Sequence, residues 1–229
     1  MTQISIHQPV YLPWLGFIKK IMSSEIFVFL DDVQFEKNGW HNRNKIKTST
    51  GDIWLTVPVS SKSTQKLNDI TIDTKSNWTK NHSKSIYLNY RKSPYFDDYW
   101  SELNEIYNTH FTKLIDLNLE IIKFLLKKFN IKSNTILSST LDISKSGSDR
   151  ILEICKSQNS LNYLSGIQGK NYLNLEDFEK NNILVEFQNF QHPKYDQLFG
   201  KFSPNLSAID LLFNEGPNSI EILEKSSNF

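Results

Sequence analysis

With 229 residues, 38% of them hydrophobic and 22% charged, the chain is long enough for one sizeable core. A net charge of +1 removes any global electrostatic case for a nucleic-acid or anionic-membrane partner. The single cysteine, Cys155, excludes an internal disulfide and fits a reducing compartment. No apolar run nears the ~18 residues that span a bilayer, and no secretory signal opens the chain, so the expected location is cytoplasmic.

Ile4-Ser5-Ile6 predicts a short strand, which Pro9 ends because proline cannot donate to a ladder. Pro13 suits the first turn of a helix, and Leu15, Ile18 and Met22 then recur at helical spacing. The run from Glu25 to Leu30, closed by Asp31-Asp32, suits a strand buried on both faces. Strand, helix and strand within ~30 residues make a βαβ unit with a right-handed crossover.

Residues 33–75 read as a small β insertion. Turn signals stand at Asn38-Gly39 and at Ser49 to Asp52, with extended pieces at 44–47 and 53–57 and an edge strand at 70–72. Trp78, His82, Ile86 and Tyr90 fall four apart, predicting a helix that Ser93-Pro94 stops. A single long helix is expected over roughly 98–129, with Leu103, Ile106, Tyr107, Leu114, Ile121, Leu125 and Phe129 on one stripe and His110 inside it. After a strand at 136–138, Ser148 is expected to cap a helix carrying Ile151, Leu152 and Cys155. A strand runs from Asn162 into Gly166, Asn174 caps a short helix, and 183–187 is another strand. The aromatic loop HPKYDQLFGKFSPN leads to a final helix with Ile209, Leu212 and Phe213. The alternation gives an α/β fold: a mainly parallel sheet with helices on both faces, in one domain over 1–229.

The segments HQPVYLPWLGFIKKI, IFVFLDDVQFEKNGWHNR, YLSGIQGKNYL and HPKYDQLFGKFSPNLSAIDLLFNEG resemble, in this order, the WbqC-like protein family over 4–216. That resemblance implies a place in O-antigen and other surface-polysaccharide (lipopolysaccharide) clusters. The implied activity is a transferase of acyl or aminoacyl groups, glycyl among them, with a nucleotide-linked amino sugar as acceptor. No cofactor is firmly implied; the donor would be an acyl-thioester on an acyl or peptidyl carrier protein or on CoA. The first half is also similar to nucleotidylyltransferase-like α/β folds, whose junction histidines touch nucleotide phosphates. His7 matches one of that pair, and Tyr11 to Gly16 supply no second histidine. Nucleotidyl transfer or adenylation is therefore an alternative, and a non-catalytic sugar- or carrier-protein-binding component is another.

The candidate site follows from the ends of the expected strands. His7, after the first strand, is the expected general base, with Gln8 offering an amide donor and acceptor. Tyr11 and Trp14 offer flat faces to a sugar or base, against the bland reading of core packing. Asp31 and Asp32 end the second strand to orient His7 or the amine; neighbours on a strand point to opposite faces, so one of them reaches the site. Asn38, Trp40, His41, Asn42, Arg43 and Lys45 form a polar cluster around an aromatic, either a solvated hairpin or a binding face on which Arg43 and Lys45 share parity to hold a diphosphate. Ser165 and Gly166 suit a backbone-lined anion site or a tight turn. His192, Tyr195 and Gln197 form a second strand-to-loop motif, in which Tyr195, Gln197 and Phe202 either close a sugar pocket or belong to an ordered aromatic loop packed on the core. No metal site is expected. Cys155 reads as a buried small hydrophobe rather than a nucleophile.

Overall fold

The computed structural model describes residues 2–62 and 64–226. Strand β1 (Gln3–His7) leads through helix α1 (Leu15–Met22) to β2 (Ile26–Phe29). Two antiparallel pairs follow, β3 (Arg43–Thr48) with β4 (Gly51–Thr56), and β5 (Val59–Ser60) with β6 (Thr71–Ile72). Helices α2 (Trp78–Tyr90), α3 (Phe96–Asn108) and α4 (Leu114–Lys128) complete the excursion. The chain then runs through β7 (Asn134–Leu137), α5 (Gly147–Ser157), β8 (Asn162–Ser165), α6 (Leu175–Lys180) and β9 (Leu184–Phe187), and ends with α7 (Ile209–Glu215) and α8 (Ser219–Lys225).

The central sheet has five strands in the order β7-β2-β1-β8-β9, all parallel. Strand alternation sorts its two faces. Ile4, Ile6 and Val28 pack with Ile151, Ile154 and Cys155 of α5 and Phe178 of α6. Phe27 and Phe29 point the other way, into a larger core shared with α1 to α4 and α7. Both faces are covered, which is why the β2 run is apolar at consecutive positions.

The expected long helix is two. The backbone turns extended at Thr109, and residues between α3 and α4 are drawn to β6. There Ile72 N–H donates to the Thr112 carbonyl at 2.9 Å, and Leu114 N–H donates to the Ile70 carbonyl at 3.0 Å. The apolar stripe resumes in phase after the break, so periodicity alone does not reveal it. The fold-back brings Glu102 of α3 to Lys127 and Lys128 of α4, at 3.0 and 2.6 Å. Ser146, not Ser148, occupies the N-cap of α5; the Ser148 hydroxyl accepts the Asn174 N–H at 2.8 Å instead.

The loop between β1 and α1 is held from several sides. Tyr11 N–H donates to the Trp40 carbonyl at 3.1 Å, Ala208 N–H to the Pro13 carbonyl at 2.7 Å, and the Asn44 amide to the Leu12 carbonyl. Leu12 stands at φ 44°, ahead of a proline. Such a residue costs of order 1–3 kcal/mol and persists only where its surroundings over-determine it. Tyr11 corrects an expectation: it offers no face to a ligand. It is fully buried, and its hydroxyl lies 2.8 Å from His82 Nδ1 and 2.6 Å from the Tyr107 hydroxyl.

Burial lowers the His82 pKa from 6.5 to about 4, against a hydrogen bond to the Thr56 backbone that raises it. The unfolded chain therefore takes up this proton first as pH falls. The stability this neutral ring contributes is complete above pH 6.5 and drains away as pH falls toward 4. Urea unfolding should show a falling midpoint between pH 7 and pH 4.5, and Tyr11→Phe should cost about 1–3 kcal/mol at pH 7 by stranding the His82 acceptor. A flat pH profile would contradict a neutral buried His82.

Candidate functional site

Strand β1 lies at the switch point of the sheet: the chain leaves it toward β2 on one side and returns on the other as β8. Ligands of open parallel sheets bind in that crevice, outside the carboxyl ends of the strands. A cleft of about 730 Å³ occupies this position. Its walls are His7 and Gln8 at the end of β1, Trp14, Gly16, Phe17 and Lys20 from the start of α1 onward, Gly166 to Gly169 after β8, and Gln188 to Phe190 after β9. Glu36 and Tyr172 also border it. A groove of about 810 Å³ between α3 and α4 is larger, but it lies away from the strand ends and is bordered by the ion-paired Glu102 and Lys127.

The His7 ring packs edge-on to Phe17 and Trp14, at centroid distances of 5.2 and 5.9 Å. Its Nδ1 lies 2.8 Å from the Gln8 carbonyl, so the proton sits on Nδ1 and the Nε2 lone pair is free. Burial, helped by the Lys20 charge, lowers its pKa from 6.5 to about 3. His7 is thus neutral throughout the working range. A base that weak is poorly matched to removing a proton near neutrality, so the expected general base is better read as a hydrogen-bond acceptor.

Gln8 is oriented by a short chain of hydrogen bonds. Glu36 N–H donates to His41 Nδ1 at 3.3 Å, and His41 Nε2 therefore carries the proton it donates to Gln8 Oε1 at 2.9 Å. The amide oxygen is spent, which leaves the Gln8 NH₂ for the cleft. Gly16 earns its place sterically: a Cβ there would come within 3.0 Å of the Phe190 ring and of Trp14 Nε1.

Asp31 and Asp32 do not border the cleft. Asp31 is buried and accepts the Ser139 N–H at 2.9 Å and the Ser139 hydroxyl at 2.6 Å. One terminal nitrogen of Arg150 lies 2.7 Å from both Asp32 oxygens, and the Ser138 hydroxyl donates to Asp32 as well. Burial works to raise the Asp32 pKa, but the bonds from Arg150 and Ser138 prevail and hold it low. These carboxylates brace β2 to β7 and α5 rather than reaching His7.

The insertion splits its candidates. Asn42 is buried, its amide donating to the Val57 carbonyl at 2.9 Å, and Asn38 is an exposed turn residue at φ 63°. Trp40 continues outward from the cleft wall: its ring centroid is 5.3 Å from that of Trp14 and 5.6 Å from that of Trp54. The Arg43 guanidinium lies 4.5 Å over Trp54 and Lys45 Nζ lies 5.0 Å over the same ring. The shared parity of Arg43 and Lys45 therefore produces a cationic, aromatic strip beside the cleft.

Gly166 lines the cleft; Ser165 lies beneath it, buried, its hydroxyl donating to the Gly166 carbonyl at 3.1 Å. The C-terminal candidates lie elsewhere. Tyr195 and Gln197 donate to Asp210 Oδ1 at 2.9 and 2.8 Å, and Tyr90 donates to Oδ2 at 2.8 Å. Their polar atoms are committed to a buried carboxylate, and neither residue borders the switch-point cleft. His192 donates from Nδ1 to the Pro193 carbonyl at 2.8 Å and packs between Phe190 and Tyr195. Cys155 is fully buried and its pKa is pushed up to about 12, which leaves it a thiol.

Lys20 is the residue that periodicity missed. It falls near the end of α1, where a lysine ordinarily complements the helix dipole. The signal was available in Gly16 and Lys20 being four apart, hence on one face. Lys20 is 2% exposed, and Nζ donates to the Ile6 carbonyl at 2.9 Å. Burial lowers its pKa from 10.5 to about 7.

Fold and site together define an α/β protein with a cleft of mixed polar and apolar lining at the switch point of a parallel sheet. The chain belongs to the WbqC-like protein family, whose model matches residues 8–222. It is 31% identical over 227 residues to the "Uncharacterized protein Rv1507c" of Mycobacterium tuberculosis, covering 97% of this chain and 98% of that one. No solved structure shows a significant match. Among the described residues no helix is long and apolar enough to cross a membrane.

A charged Lys20 costs stability in full below pH 7, and that cost disappears as pH rises toward 10.5, because there the unfolded chain holds the extra proton. In denaturation from pH 6.5 to 9.5, wild type should gain steadily on Lys20→Met. A constant difference would mean that the folded ammonium keeps its proton throughout.

Proposed function

We propose that the chain is an acyl or aminoacyl transferase whose acceptor is the amine of a nucleotide-linked amino sugar, acting in surface-polysaccharide biosynthesis. The observation that carries this reading is the switch-point cleft, which sets a neutral His7, a donor-only Gln8 amide and the Trp14 ring around one space. The polysaccharide setting and the acyl donor come from the family resemblance.

In this reading the sugar lies against Trp14, its hydroxyls on the Gln8 amide. His7 Nε2 accepts an N–H of the uncharged sugar amine and points its lone pair at the donor carbonyl. The amine nitrogen forms the new C–N bond, the thioester C–S bond breaks, and the amine proton passes to the departing sulfur. A neutral amine attacks a thioester without a strong base, so a weakly basic imidazole that orients the amine is sufficient. The strip of Trp40, Trp54, Arg43 and Lys45 is available to the nucleotide beyond the cleft mouth.

Incubating the protein with a panel of nucleotide amino sugars and acyl- or glycyl-loaded carrier protein and CoA, read by mass spectrometry, should yield an N-acylated sugar. His7→Ala and Gln8→Ala should each lower kcat/KM by roughly 10- to 100-fold, the worth of one buried hydrogen bond. No acylated product across a broad panel would defeat the transferase reading, and unchanged rates in both variants would remove these residues from it.

A further inference from the structure

The parallel ladder between β1 and β2 runs on to His7 and Phe29, whereas the ladder between β1 and β8 stops at Ser5 and Leu164. Beyond that rung the two strands part. Lys20 Nζ enters the gap, bonded to the Ile6 carbonyl and 4.0 Å from where a Cβ on Gly166 would stand. It meets the cleft there.

Capping one carbonyl needs no charge; a neutral amide would do it. An ammonium has three donors, and Ile6 takes one. Among the described residues Lys20 has no ion-pair partner and no second acceptor. A charge buried in that state is expensive unless something completes it. The rest of the cleft does not supply the missing negative charge. Gln8 contributes an NH₂, because His41 occupies its oxygen. The other titratable groups on the walls are His7, which is neutral, Tyr163 and Tyr172, whose phenols burial pushes upward, and Glu36, which is exposed. A cleft with surplus donors and an uncompensated cation fits an acceptor-rich anion.

We propose that Lys20, at the parted ends of β1 and β8, forms an oxyanion subsite that holds the diphosphate of a nucleoside diphosphate. The class of anion rests on the nucleotide-sugar reading above. The cleft's volume of about 730 Å³ suits a ligand of that size, and the tryptophan strip offers a base its flat faces. Because the anion stabilises the ammonium, binding above neutral pH takes up a proton at Lys20.

Isothermal titration calorimetry at pH 8, in two buffers of different ionisation enthalpy, tests this with uridine diphosphate and pyrophosphate, and with acetate and glycine as carboxylate controls. Wild type should bind the diphosphates with uptake of up to one proton. Lys20→Met should weaken binding at least tenfold and abolish the uptake; Lys20→Arg should retain part of the affinity. Lys20→Gln, which keeps a donor for Ile6, provides the same comparison if the methionine variant does not fold. Unchanged affinity in the folded Met or Gln variant overturns the subsite, as does a preference for carboxylates or no binding of either diphosphate by wild type. An acylated sugar product with Lys20-independent diphosphate binding would sink the subsite and spare the transferase. Lys20-dependent binding without product from any acceptor would do the reverse.

Discussion

Everything at the candidate site depends on where the ladder between β1 and β8 stops. A parallel sheet built in the order β7-β2-β1-β8-β9 sends its crossovers to opposite faces on either side of β1. The helices that follow β1 and β8 therefore do not share a face, which opens a crevice between the two strand ends. Hydrogen bonding holds the strands together as far as Ser5 and Leu164 and then releases them. The parted ends leave the Ile6 carbonyl for a side chain to satisfy, and Lys20 reaches it from α1.

The walls of that crevice are rigid because the loops forming them are tied to parts of the chain remote in sequence. The loop after β1 is anchored by Trp40, Asn44 and Ala208, which sustain the left-handed Leu12. Gln8 is aimed by His41, whose carbonyl in turn accepts the Asn118 amide of α4 at 2.8 Å. On the far side, Gln188 donates to the Gly16 carbonyl at 3.0 Å and holds the β9 loop against the helix start. Such an arrangement places donors before a ligand arrives, so little ordering remains at binding.

Buried polar groups in this protein divide by whether their partners are complete. Asp210 is met by Tyr90, Tyr195 and Gln197, and Asp31 by Ser138 and Ser139; these networks join elements and leave nothing over for a ligand. Tyr11, His82 and Tyr107 are similarly closed. His7, Gln8 and Lys20 each retain bonding capacity directed at a cavity. Incomplete satisfaction, more than polarity or position near a strand end, separates the cleft residues from the braces.

The sequence by itself determined the α/β class, the βαβ start and the hairpin of the insertion, and it put His7 and Gln8 at the strand-to-loop junction that borders the cleft. Each rests on local information: apolar period, proline and glycine punctuation, and the rule that strand ends carry sites. It also placed Trp14 and Gly166 at the crevice. Only the tertiary structure decided which of the remaining polar residues face the cleft. Asp31, Asp32, Tyr195 and Gln197 read as site residues because side-chain chemistry is visible in a sequence, while the Arg150, serine and Asp210 partners that consume it lie 13 to 118 positions away. Lys20 was hidden for the converse reason. A lysine near the end of a helix looks solvated until packing buries every neighbour from Leu15 to Ile21, and its meaning arises from the parting of two strands that lie far apart along the chain.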